Sequence, residues 1–181
     1  MRPFIRMIIA GVSALTLAAC ATTNVRSFVE RGIDVRQYRT YSWGPADEQA
    51  TGDPRLDNNQ FFQEHLQAAV ERHLNARGFE KATAEGSNLL IHYHASVDQL
   101  VNPNGVDRPY ATCDDCEPYV YDAGTIVIDL VDARTHRLVW RGWAEGSIDG
   151  VVDNQEWMEK RVDNAVARIM ERLPRGMGRV S

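Results

Sequence analysis

Four side chains have the types and the spacing to do chemistry together. Cys113 and Cys116 enclose Asp114-Asp115, and His92 and His94 stand two apart in the run Leu89-Leu90-Ile91-His92-Tyr93-His94-Ala95-Ser96-Val97. Two thiolates and two neutral imidazoles form a donor set suited to tetrahedral zinc. If the run is a strand, His92 and His94 project to one side of it, and the segment with the cysteines begins directly afterwards and can fold back over them. The same cysteine spacing suits a small-ring disulfide, the leading reading in an oxidising compartment. A redox-active pair is less favoured, because Asp114, Asp115 and Glu117 disfavour the thiolate it needs, and simple free thiols are the remaining reading. The simplest account of His92 and His94 is that they line the less buried face of a sheet. His65, His73 and His136 fall on helix surface and turn and have no assigned role. No glycine-rich phosphate loop, nucleophile elbow or recognisable pair of acids is present. The expectation is a non-enzymatic chain without catalytic residues.

The remaining cysteine, Cys20, has a different setting. Arg2 and Arg6 make a basic start, Met7 to Leu17 an apolar run, and Ala18-Ala19 a small-residue end that stops at Cys20. The apolar run is too short to span a bilayer, and the three parts together are the grammar of an export signal. Leu17-Ala18-Ala19-Cys20 resembles the bacterial lipobox. That resemblance implies cleavage before Cys20, diacylglycerol on its thiol and an N-acyl group such as palmitate on its amine. Each buried acyl CH₂ contributes about 0.8 kcal/mol, so two or three chains hold far better than one. Ala21 follows, where an Asp would imply retention at the inner membrane. The expected home is therefore the outer membrane, with the domain facing the periplasm. Removing Arg2 and Arg6 from 20 basic residues leaves 18 against 25 acidic ones. An acidic body without a basic stripe argues against nucleic acid as a partner, leaving the membrane and an unidentified envelope protein or ligand.

The elements that must position these groups follow from periodicity. Val25 to Val29 alternates as a short strand, Asp34 can cap a turn, and Thr40-Tyr41-Ser42-Trp43 is rich in strand formers. A polar loop over residues 46–55 leads to a helix capped by Asn58 or Asn59, with Phe62, Leu66, Ala69, Val70 and Leu74 on one face and Gly78 as its stop. Residues 125–131 and 138–144 make a hairpin around Asp132-Ala133-Arg134-Thr135-His136. Asp153 and Glu156 suggest a capping box for a last helix, whose stripe is Met158, Val162, Ala165, Val166, Ile169 and Leu173, ended by Pro174. Residues 98–124, with both cysteines, are expected to be irregular. Tyr41, Trp43 and Trp140 are expected to anchor the sheet to the helices, with Gly142 admitting a close neighbour.

The predicted architecture is α+β: a two-layer α/β sandwich with a mostly antiparallel sheet of four to five strands and two helices on one face. The predicted organisation is a signal over 1–19, an acylated start and tether over 20–24, one domain over 25–175 and a tail over 176–181. Several segments, in order and spread over nearly the whole mature chain, carry a further likeness. They are Tyr38-Arg39-Thr40-Tyr41-Ser42-Trp43, Leu74-Asn75-Ala76-Arg77-Gly78-Phe79, Asn88 to His94, Gly124 to Leu130, and Asp132-Ala133-Arg134-Thr135-His136-Arg137-Leu138-Val139-Trp140-Arg141-Gly142. In these the chain resembles the lipoprotein family called domain of unknown function 4136. The resemblance implies a periplasm-facing lipoprotein of no established activity, with no catalytic residues to carry over, and it does not extend to Cys113 and Cys116.

Overall fold

A computed structural model describes residues 23–44, 51, 53–57, 59–102 and 119–175. In chain order the elements are β1 (Asn24–Val29), a 3-10 turn (Val35–Gln37), β2 (Thr40–Trp43), α1 (Gln60–Ala76), β3 (Glu80–Lys81), β4 (Leu89–Asn102), β5 (Tyr119–Asp132), β6 (Leu138–Ser147) and α2 (Gln155–Glu171). The strands form one six-stranded open sheet in the order β1-β6-β5-β4-β2-β3. Its first three pairings are antiparallel, whereas β2 pairs parallel with both β4 and β3. The sheet is thus mixed and has six strands, not four to five. The parallel pairing follows from connectivity: the chain leaves β2, crosses through α1 and returns along β4, the usual route between parallel neighbours.

Both helices start where a side chain satisfies a free N–H. The Asn59 side chain accepts from the Phe62 amide at 3.0 Å, and that of Asn154 from the Trp157 amide at 3.0 Å. The second cap is therefore Asn154 and not Asp153, which instead accepts from Arg55. Glu156 then lies in the first turn, where a carboxylate favours the positive end of the helix dipole. α1 stops at Gly78, whose φ of 86° suits glycine. Phe79 folds back so that its amide reaches the Leu74 carbonyl at 3.1 Å.

One core lies between sheet and helices. It takes Phe62, Leu66, Val70 and Leu74 from α1, Met158, Val162, Val166, Ile169 and Met170 from α2, and Tyr41, Leu89, Ile91, Ile128, Leu130 and Trp140 from the sheet. Tyr41 and Trp140 are completely buried. Trp43 donates its indole N–H to Glu71 of α1 at 2.7 Å and meets Tyr93 edge-on. These aromatics anchor the layers as expected. The Trp140 indole N–H is buried without a partner among the described residues, which costs about 1–3 kcal/mol of desolvation.

β4 and β5 are each 14 residues long and pair without interruption from Leu89↔Asp132 to Asn102↔Tyr119. The outer parts of the segment expected to be irregular, 98–102 and 119–124, are thus ladder. β6 accompanies β5 only as far as Ala123↔Ser147.

Two buried phenols make the fold sensitive to alkali. Burial first, and then the hydrogen bond to Asp132 at 2.9 Å, push Tyr38 up to about 12; burial and the neighbouring Glu71 push Tyr41 up to about 12. In the unfolded chain both would ionise near pH 10. Between pH 10 and 12 the folded chain therefore holds more protons than the unfolded one, and stability falls as pH rises. Urea midpoints should be flat up to about pH 10 and drop beyond it, with a shallower drop in Tyr38→Phe. An unchanged slope in that variant would exclude Tyr38 as a source.

Candidate functional site

Alternation along the strands gives the sheet a second face, turned away from the helices. Register lines its residues into cross-strand rows: Phe28–Arg141–Asp129–His92, then Arg26–Trp143–Val127–His94. In the first row Asp129 lies between Ile128 and Leu130 in sequence but points oppositely to them, and is 4% exposed. Its carboxylate receives the Arg141 guanidinium in two parallel hydrogen bonds, from Nε at 2.6 Å and Nη2 at 2.5 Å. This fork geometry is the strong form of the pair, and the hydrogen bonding that Arg141 donates to the Asp129 carboxylate raises its pKa. His94 Nε2 stands 3.8 Å from the second Asp129 oxygen. Around this fixed charge pair lie the half-exposed Trp143 and the exposed Phe28.

His92 and His94 share this face, as alternation predicts, but lean towards different neighbours. The His92 ring occupies the space a side chain at Gly44 would fill, with Nδ1 2.8 Å from the position of a Cβ there. His94 leans the other way, towards Asp129 on β5. Among the described residues no group of three or more His, Cys, Asp or Glu is arranged to hold a metal ion. Cys113 and Cys116 lie outside the described residues, as does Cys20, and with them the disulfide, thiol and zinc readings. His65, given no role from sequence, bridges the helices: its Nε2 is 3.2 Å from Asp163, which also accepts from Arg72 at 2.8 Å.

Sequence reasoning missed the Asp129–Arg141 pair. Its signal was an acid inside an apolar alternating strand facing a base across a hairpin. Reading it required the register, and a bulge at Leu130/Val131 shifts that register near the turn. Gly142 behaves as expected and admits the Trp140 ring and Ile169.

No helix among the described residues is long and apolar enough to cross a membrane. No curated protein matches the chain. Among the solved structures that match, two show the shared fold. A PDZ domain protein from Parabacteroides distasonis ATCC 8503 aligns with TM-score 0.54 and 18% identity over 87% of this chain, which spans only 37% of that protein. A DUF4136 family protein from Bacteroides thetaiotaomicron VPI-5482 aligns with TM-score 0.52 and 13% identity over 87% of this chain and 98% of its own. The model of the family described as domain of unknown function (DUF4136) matches residues 25–175, from the second residue of β1 to beyond the end of α2, and the chain belongs to that family.

Proposed function

We propose that the chain is a non-enzymatic envelope lipoprotein, held through acyl groups on Cys20 at the periplasmic leaflet of the outer membrane, whose open sheet face meets another envelope protein. The observation that carries this reading is the shortness of the tether. β1 begins at Asn24, four residues beyond Cys20, so at about 3.3–3.6 Å per residue the fold starts no more than roughly 14 Å from the backbone of the lipidated residue. An anchor there keeps the body against the bilayer surface. The sheet face supports the binding part: Phe28 and Trp143 flank a fixed Arg141 on a half-exposed surface, and aromatic residues and arginine are the types enriched in interface cores.

Cells fed labelled palmitate test the anchor. Wild-type protein should carry label and stay with membranes through a plain buffer wash, while Cys20→Ala should be unlabelled and move almost wholly to the soluble fraction. Wild-type chain that takes no label and washes off would overturn the reading.

A further inference from the structure

At the end of the sandwich where β1 starts, sheet and helices do not close completely. Small residues (Ala95, Gly124, Ala144 and Ala165) leave a cavity of about 60 Å³ that opens to solvent. A single water needs at least about 10–15 Å³, so the cavity has room for more than one. Its walls are almost wholly aliphatic and aromatic, with Phe62, Met158 and Ile148 among them. Such walls offer water few partners, and apolar cavities of this kind take apolar guests. One charged side chain joins the lining, Arg161 of α2. It is half-buried and has no ion pair or hydrogen bond among the described residues.

From this combination we propose that the cavity is a binding site for a medium-length alkyl carboxylate, its chain inserted between sheet and helices and its headgroup held by Arg161. The apolar walls select the tail, and the volume limits it to a single chain of moderate length. Arginine selects the head, because its planar fork matches a carboxylate in two parallel hydrogen bonds. A neutral alkyl guest would leave that cation unmatched. The site is separate from the open sheet face and does not depend on where the protein resides. It lies on the opposite side of the sheet from Asp129 and Arg141, since Ala95, Ile126 and Ala144 alternate with the residues of that face.

Decanoate and decanol titrated against the full chain carrying Cys20→Ser, which has no attached lipid, test the proposal. Decanoate should bind saturably at one site and at least about tenfold more tightly than decanol, the scale of one charge-assisted hydrogen-bonded pair. Arg161→Met should remove that preference while leaving decanol binding within about twofold. Arg161→Lys should restore part of it, and Ala95→Leu, which narrows the cavity, should weaken both ligands. Circular dichroism and melting curves on each variant separate loss of binding from loss of fold. Equal affinity for acid and alcohol, or a preference that survives Arg161→Met, would overturn the proposal. So would binding to the Cys20→Ser chain that is absent from the lipidated chain in nanodiscs, because the cavity would then belong to the protein's own acyl group.

Discussion

Replacing Gly142 with alanine should lower stability by about 2–3 kcal/mol, although alanine is ordinarily the better strand residue by about 0.5–1 kcal/mol. The reversal comes from packing. A Cβ at position 142 would lie 2.6 Å from Cζ2 of Trp140 and 2.7 Å from Cγ2 of Ile169, both inside the minimum separation of carbon atoms. Neither neighbour can yield, because Trp140 and Ile169 are both completely buried and interiors are packed close to crystal density. A urea denaturation series would measure the loss. The mechanism makes a sharper demand on the double variant. Trp140→Phe removes the ring atoms that Cβ would strike, and with them the unpartnered indole N–H. Gly142→Ala combined with Trp140→Phe should therefore cost at least about 1 kcal/mol less than the sum of the two single changes. Additive losses would show that the clash is not what keeps glycine there.

Arg141→Met should cost about 2 kcal/mol, more than Asp129→Asn at about 1 kcal/mol, even though each breaks the same pair. The asymmetry is one of solvation. The Asp129 side chain is 6% exposed and that of Arg141 44% exposed. Removing the arginine strands a carboxylate away from water, whereas removing the acid leaves a cation that water can reach. That exposure also lowers the expected loss below the roughly 3–5 kcal/mol typical of fully buried pairs. Asp129→Asn in the Arg141→Met background should recover part of the loss. The opposite ranking, measured by chemical denaturation, would mean that His94 and not Arg141 is the principal support of Asp129.

The parts of the fold legible in sequence are those where one face is buried and the other wet. All five residues of the α1 stripe, Phe62, Leu66, Ala69, Val70 and Leu74, are buried, because the period of 3.6 survives wherever a helix lies on a core. The hairpin of β5 and β6 was legible for the same reason, through Ile126, Ile128 and Leu130. Elsewhere the physics left no such trace. β3 is two charged residues, Glu80 and Lys81, on an edge, held by backbone pairing to β2. Asp98 and Gln99 lie in a stretch of β4 where both faces meet water, so no alternation marks them as strand. The parallel neighbours β2 and β4 share no local signal, since α1 intervenes between them. Of the candidate site, alternation gave the shared face of His92 and His94, while the charge pair beside them awaited the register. The choice of Asn154 over Asp153 as cap was equally hidden, because it depended on Arg55, 98 residues away, taking the acid.

The unequal lengths of the strands have a mechanical meaning. Fourteen residues of β4 and of β5 reach about 46 Å, while the 17 residues of each helix reach only about 26 Å. β6 leaves the ladder after Ala123↔Ser147, while β4 and β5 go on pairing to Asn102↔Tyr119, so the two strands run past the rest of the sheet as a narrow boom. A boom multiplies small rotations of the body into larger sweeps of its end.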